Sequence, residues 1–140
     1  FFHALDDSSN IVNHSLIKSE KIRKQTQTLG WRSRHSQAEW YPFVVSGRSL
    51  QVCQVQRGEV EGTFGTGATV WPASMVLLKY MERNPQVVDN KTIIDLGAGT
   101  AITSIAAAVL GAKRVVCTDG TESVVKLAQG NVNQVPIDIS

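Results

Sequence analysis

The stretch Ile94-Asp95-Leu96-Gly97-Ala98-Gly99-Thr100 decides the fold of this chain of 140 residues. It begins within a short apolar strand over residues 92–96 and passes into a turn that contains two glycines. Apolar side chains then recur every three or four residues as far as Gly111, which predicts a helix that ends at a left-handed glycine. Residues 114–118 form a second strand of the buried type, and residues 121–133 show a second helical pattern. Strand, helix, strand and helix in this order predict a parallel α/β unit with a right-handed crossover.

The glycine turn and Asp119 are expected to meet beyond the carboxyl ends of the two strands, where parallel α/β sheets bind ligands. Gly97 and Gly99 allow the backbone to turn tightly and to approach a ligand with no Cβ in the way. The helix that starts near Thr100 adds free N–H groups and the positive end of its dipole. Asp119 comes about 20 residues after Gly97, where a carboxylate can accept hydrogen bonds from ribose hydroxyls. These features predict a pocket for a cofactor that contains adenosine.

Two further residues bear on the identity of that cofactor. Ile102 occupies the third glycine position of the dinucleotide pattern G-x-G-x-x-G, so a pyrophosphate site is not supported. Asp95 lies two residues before Gly97, and its carboxylate would repel a pyrophosphate by several kcal/mol at about 4 Å and an effective dielectric constant of about 20. The same carboxylate would attract a sulfonium or an α-amino group. The charge therefore favours S-adenosylmethionine over NAD.

The segment before the first parallel strand extends this pattern. Residues 40–54 predict two short strands with a turn at 46–48, because aromatic and β-branched residues are interrupted there by Ser-Gly-Arg. A glycine-rich loop over residues 58–67 follows, and Pro72 suits the first turn of a helix. Trp71 lies between loop and helix, where its indole can form a wall of a pocket and offer one N–H. The helix is predicted to bury the face formed by Ala73, Val76, Leu77, Tyr80 and Met81.

The order Trp71-Pro72-Ala73-Ser74, an amphipathic helix, the turn at 95–100 and then Thr118-Asp119 resembles the seven-β-strand protein-lysine methyltransferases. These are S-adenosylmethionine-dependent class I methyltransferases with a Rossmann-like α/β fold, and some act on elongation factors, chaperones or calmodulin. The resemblance implies methyl transfer from S-adenosylmethionine to a lysine of a protein substrate. It also implies that Asp95 lies near the methionine end of a cofactor lined by Trp71, Gly97, Ala98, Gly99 and Asp119.

The chain departs from that family in three ways. Ala101 replaces the glycine that usually follows the threonine of the turn, and its methyl group either narrows the approach to the cofactor or only favours the helix. The family's acidic-x-x-aromatic motif near the target lysine is absent, since no acid stands three residues before Tyr41 or Tyr80. Only two strands of a sheet of about seven are evident. We therefore expect a fragment, the strand hairpin plus the first βαβα unit, that is inactive on its own, and we assign no catalytic residue.

Composition limits the other function classes. A hydrophobic fraction of 42% and a net charge of +2 favour neither a nucleic-acid partner nor a membrane surface. Residues 1–40 predict a polar, partly helical extension, and residues 41–140 the incomplete cofactor-binding portion of the methyltransferase domain. Cys53 and Cys117 lack metal-ligand spacing, so we expect no metal and two reduced thiols in a cytoplasmic or nuclear protein.

Three functions stay open from the sequence. The first is a protein methyltransferase, directed at lysine, of which this chain is the N-terminal part. The second is a truncated or degenerate methyltransferase-like domain without catalysis. The third is an NAD-dependent oxidoreductase, which Ile102 and Asp95 disfavour.

Overall fold

The hairpin and the parallel unit are both present in the computed structural model, which describes residues 35, 38–55 and 66–135. The predicted extension over residues 1–40 lies almost wholly outside this part of the chain and stays a prediction. No helix within the described residues is long and apolar enough to span a bilayer. In chain order the elements are β1 (Trp40–Val45), β2 (Arg48–Cys53), α1 (Pro72–Arg83), a 3-10 turn (Pro85–Val87), β3 (Thr92–Leu96), α2 (Ile102–Val109), β4 (Arg114–Thr118) and α3 (Glu122–Gln134).

Strands β1 and β2 form an antiparallel hairpin, as predicted. The connecting loop is shorter than the predicted 46–48, because Arg48 already pairs with Val45. Ser46 and Gly47 have φ angles of +49° and +74°. Positive φ at both central positions is the requirement of a type I′ turn, whose twist matches that of the strands. The hairpin buries alternate side chains on one face, namely Tyr41, Phe43, Val45 and Val52.

Glu82 of α1 holds the tip of this hairpin. Its Oε1 accepts a hydrogen bond of 2.7 Å from the backbone N–H of Ser46, and its Oε2 lies 2.7 Å from Nζ of Lys79. Lys79 also donates to the carbonyl oxygen of Val44 at 3.2 Å. The hydrogen bond from Lys79, and then that from Ser46, lowers the pKa of the Glu82 carboxyl. These contacts attach α1 to the hairpin.

Strands β3 and β4 pair in parallel from Thr92 opposite Arg114 to Leu96 opposite Thr118. Their connection runs through α2, most of whose residues are buried. Pairing continues past the strand ends, because the N–H of Ala98 donates to the carbonyl oxygen of Thr118 at 2.9 Å. In turn the Thr118 hydroxyl donates to the carbonyl oxygen of Asp95 at 2.9 Å. The predicted α/β class is thus confirmed, and the glycine turn is held in register with the end of β4.

The predicted buried face of α1 is largely wrong. Val76, Leu77 and Tyr80 are 68%, 47% and 53% exposed, whereas Leu78 and Met81 are buried. Helix α1 packs against α2 and β1, and these partners cover the side that carries Leu78. The periodicity correctly predicts a helix. Apolar residues lie on more than one side of this helix, however, and the contacts with α2 and β1 determine which side is buried.

One face of β3 is open to solvent, although its apolar run predicts a strand buried on both faces. Ile94 is 63% exposed and Leu96 is 80% exposed, while Ile93 packs against the hydrophobic core. The helices and the hairpin described above cover only the side of the sheet to which Ile93 belongs. The hydrophobic core therefore lies on a single side of the parallel pair.

Gly130 gives a stability prediction within α3. It lies inside the helix, and a Cβ added there would meet nothing within 4 Å. Replacing Gly130 with alanine is expected to raise the free energy of unfolding by about 0.5–1 kcal/mol, because alanine loses less backbone entropy in a helix. Urea denaturation checks this value. A loss of stability in Gly130→Ala would contradict the placement of Gly130 in a helix interior with open space beside it.

Candidate cofactor site

A cavity of about 500 Å³ opens where β3 and β4 end. Its lining comes from three segments of the chain, within residues 66–74, 97–100 and 119–121. A larger groove of about 890 Å³ runs along β4 between α2 and α3 and includes Asp119 but not the glycine turn. The smaller cavity therefore has the position at strand ends that α/β proteins use for ligands.

The glycine turn forms one wall of this cavity. Gly97 and Gly99 have φ angles of +68° and +56°, in the left-handed region that side chains rarely adopt. A Cβ on Gly99 would lie 2.8 Å from the carbonyl oxygen of Gly67, so the turn packs directly on the backbone of the preceding loop. Gly97 has nothing within 4 Å of such a Cβ. The turn thus presents bare backbone to the cavity, as the sequence predicts.

Asp119 joins the turn to the start of α3. Its Oδ2 accepts a hydrogen bond of 3.2 Å from the N–H of Gly99, and its Oδ1 accepts one of 3.1 Å from the N–H of Thr121. A carboxylate has about four lone-pair directions, so both oxygens keep capacity for further donors. Asp119 therefore lines the cavity as a fixed acceptor that can still bind hydroxyl groups.

Trp71 forms another wall of the cavity. It directly precedes α1 and is 48% exposed. The sequence predicts that its indole N–H is offered to a ligand. In the structure this N–H instead donates to the carbonyl oxygen of Thr66 at 2.8 Å. This bond fixes the ring against the loop. Trp71 therefore contributes an apolar surface to the cavity.

Asp95 differs from the other predicted site residues because it does not line the cavity. Its Oδ2 accepts hydrogen bonds from the hydroxyls of Thr103 at 2.6 Å and Ser104 at 2.7 Å. The carboxylate thus lies against the first turn of α2, where the helix dipole favours a negative charge. The structure brings Trp71, Gly97, Ala98, Gly99 and Asp119 together and places Asp95 outside the cavity lining, with its carboxylate bound to the start of α2.

Ala101 has a left-handed conformation with φ of +63° and is fully buried. Its methyl group belongs to the hydrophobic core and does not line the cavity. Neither consequence considered from the sequence applies, since the methyl group leaves the cavity open and the residue precedes the helix. The left-handed conformation costs alanine about 1–2 kcal/mol, which explains why glycine suits this position.

Cys117 lies beside the site, in the larger groove. Burial is the main cause that raises the pKa of its thiol, and the charges of Asp95 and Asp119 add to it, whereas the neighbouring side chain of Ser104 opposes the change. The thiol therefore stays protonated at neutral pH and is a poor nucleophile.

Gln54 is a residue at the end of the predicted strand pair to which the sequence analysis assigns no role in the site. Its side chain is buried, and its Nε2 donates to the carbonyl oxygens of His35 at 2.8 Å and Ala38 at 2.6 Å. Its Oε1 accepts a hydrogen bond of 3.1 Å from the N–H of Val70, the neighbour of Trp71. Gln54 thus holds the Trp71 wall against the hairpin. A polar residue at an inward position of the strand alternation was the available signal.

The structure is an α/β unit with a cavity at the ends of its parallel strands, and comparison with known proteins identifies the family. Residues 59–139 match the model of the ribosomal protein L11 methyltransferase (PrmA) family, and the chain belongs to that family. The family recognised from the turn and Trp71 is thereby confirmed, since several relatives are named as protein-lysine methyltransferases.

Three relatives illustrate the match. The protein-lysine methyltransferase METTL21E of Mus musculus is 37% identical over 82 residues, which cover 57% of this chain and 30% of the relative. The ribosomal protein L11 methyltransferase of Ruminiclostridium cellulolyticum is 42% identical over 81 residues, covering 58% and 23%. The electron transfer flavoprotein beta subunit lysine methyltransferase of Homo sapiens is 42% identical over 52 residues, covering 37% and 20%. The matched stretch is therefore less than a third of each relative's length.

Proposed function

We propose that the protein is an S-adenosylmethionine-dependent methyltransferase whose acceptor is a lysine side chain of a protein substrate. The observation that carries the proposal is the cavity at the strand ends, which unites the glycine turn, Asp119 and Trp71. Membership of the PrmA family supports the reaction. The relatives named as lysine methyltransferases support the acceptor.

The residues of the cavity fit an adenosyl cofactor. A volume of about 500 Å³ lies within the range of about 300–1,000 Å³ that is usual for ligand pockets. Asp119 would accept hydrogen bonds from ribose hydroxyls, and the bare backbone of the turn would allow the cofactor to approach closely. Trp71 would contribute apolar contact area from a ring that its own hydrogen bond already holds in place.

When bound, S-adenosylmethionine would supply a methyl group activated by its positively charged sulfur. The task of this chain would then be to hold the cofactor, since rate depends on keeping the acceptor amine about 3–3.5 Å from the methyl carbon. Asp95 would act from outside the cavity lining through its negative charge, which favours a cationic ligand over a pyrophosphate.

Calorimetry with two ligands tests this proposal against the alternatives. We expect the full-length protein to bind S-adenosylhomocysteine with a micromolar Kd, about −8 kcal/mol, and to show no measurable binding of NAD. Preferential binding of NAD would overturn the proposal in favour of an oxidoreductase. Tight binding of S-adenosylhomocysteine without transfer of labelled methyl groups to any protein would instead indicate a non-catalytic domain.

Asp119 gives the sharpest test of the site itself. Replacing Asp119 with alanine is expected to raise the Kd for S-adenosylhomocysteine about ten- to a hundredfold, equivalent to about 1.5–3 kcal/mol, the scale of a hydrogen bond to a charged group. Asp119→Asn keeps one acceptor oxygen and is expected to fall between the wild type and Asp119→Ala. An unchanged Kd in a folded Asp119→Ala variant would remove Asp119 from the ribose site.

The same proposal extends to the compartment. The sequence contains only two cysteines, Cys53 and Cys117, and so low a cysteine content is typical of proteins from reducing compartments. We therefore propose a cytoplasmic or nuclear location, which fluorescence microscopy of a tagged full-length protein would check.

A further inference from the structure

Asn131 is a polar residue on the buried face of α3. It is 1% exposed and follows Val124 and Ala128 along the same side of the helix. Its Oδ1 accepts a hydrogen bond of 2.7 Å from the N–H of Cys53. Its Nδ2 donates to the carbonyl oxygens of Cys53 at 2.9 Å and Thr100 at 3.0 Å. Three of the four hydrogen bonds open to a carboxamide are therefore made to backbone atoms.

These backbone atoms connect the two walls of the cavity. Thr100 closes the glycine turn and itself lines the cavity. Cys53 is the last residue of β2, and the next residue, Gln54, binds the N–H of Val70 beside Trp71. The glycine turn and the Trp71 wall are thus joined through one buried amide and the end of the hairpin.

We infer that Asn131 is a positioning residue of the cofactor cavity, an inference that rests on the function proposed above. It does not line the cavity. It fixes the carbonyl of Thr100 relative to the hairpin and so sets the position of the turn relative to the Trp71 wall. An apolar side chain would fill the same space in the core, but only a group with donors and an acceptor can fix three backbone atoms in direction as well as distance.

The first readout is cofactor affinity. Asn131→Leu in the full-length protein is expected to raise the Kd for S-adenosylhomocysteine about tenfold, because the turn loses its fixed position. The matched control is Val88→Ala, which also disturbs a buried residue but lies before β3, at the end of the sheet remote from the cavity. Its Kd is expected to stay within about twofold of the wild-type value under conditions in which both variants are folded.

The second readout needs no ligand. In the wild type the N–H of Gly99 donates to Asp119, and that of Ala101 donates to the carbonyl oxygen of Ala98 at 2.9 Å. Hydrogen exchange of these two amides, measured by NMR, is expected to accelerate about tenfold in Asn131→Leu relative to the amide of Leu110. Val88→Ala should leave the exchange rates of these two amides unchanged relative to that of Leu110, because a general loss of stability would accelerate all three amides alike.

The two readouts separate the outcomes. Unchanged affinity together with unchanged exchange at the turn would overturn the inference, as would equal effects of Asn131→Leu and Val88→Ala. If the wild type fails to bind S-adenosylhomocysteine while exchange at the turn accelerates in the variant, the proposed function fails and the anchoring of the turn stands. Should Asn131→Leu not fold, Asn131→Asp replaces it, because this isosteric side chain keeps the acceptor for Cys53 and loses both donors.

Discussion

Replacing Gln54 with leucine is expected to lower the free energy of unfolding by about 3–5 kcal/mol. The side chain is 2% exposed, and its amide makes three hydrogen bonds to backbone groups of His35, Ala38 and Val70. Each buried polar group that loses its partner costs about 1–3 kcal/mol, and leucine can satisfy none of them. Urea denaturation followed by circular dichroism measures the change, with the slope of the transition checked for constancy.

The matched control is the exposed amide of Gln129. Its Nε2 donates to Oδ1 of Asn133 at 3.1 Å on the surface of α3. Gln129→Leu is expected to change the free energy of unfolding by no more than about 0.5 kcal/mol, since water replaces the lost hydrogen bond. Similar losses in Gln54→Leu and Gln129→Leu would show that the buried amide adds nothing beyond an ordinary surface contact.

Replacing Gly99 with alanine is expected to lower the free energy of unfolding by about 3 kcal/mol or more. The residue has φ of +56°, where alanine loses about 1–2 kcal/mol relative to glycine. The added Cβ would also lie 2.8 Å from the carbonyl oxygen of Gly67, a backbone atom that cannot rotate away. Relief of this contact requires the loop and the turn to separate, which adds the cost of a forced backbone shift.

Gly97 provides the comparison for this second prediction. Its φ of +68° is also positive, but a Cβ there meets no atom within 4 Å. Gly97→Ala is therefore expected to lower the free energy of unfolding only by the cost of a positive φ for alanine, about 1–2 kcal/mol. The difference between the two variants in chemical denaturation isolates the contact with Gly67, and equal losses would refute that contact.

The local pattern of the sequence was sufficient for the element types and for most of the cavity. Glycines on either side of Ala98 can serve only a backbone that turns sharply, and an acid at the end of the next strand must lie beside them if the strands are parallel. The Ser46-Gly47 turn was equally readable, because few residue pairs tolerate positive φ. These features depend on neighbours within a few residues or on one fixed rule of chain connection.

Features that depend on distant partners were not predictable in the same way. The orientation of Asp95 is decided by the hydroxyls of Thr103 and Ser104, which compete with the cavity for its carboxylate. Nothing in the sequence of the strand indicates whether the carboxylate binds these hydroxyls or turns towards the cavity. The buried stripe of α1 was likewise decided by what packs against it, so that Leu78 is covered and Val76 is not.

Asn131 and Gln54 are carboxamide residues at inward positions of their elements, a pattern that is visible in the sequence and from which no role was predicted. Asn131 stands three residues after Ala128, on the stripe of α3 that is buried, whereas the apolar Val125 of the same helix is 42% exposed. A carboxamide at an inward position is costly unless its bonds are made. Such a residue therefore indicates a contact with backbone elsewhere in the fold, although the sequence alone does not name the partner.

The bonds between Asn131 and Cys53 join residues that are 78 positions apart in the chain. Closing so long a loop costs entropy that local contacts do not repay, so this junction is expected to form late during folding. A small molecule held between the turn and the tryptophan would tie the parallel unit to the segment before α1, which Gln54 already binds to the hairpin. Its binding would then raise the melting temperature of the hairpin and the parallel unit as one cooperative body, and it would slow the opening of both ends together.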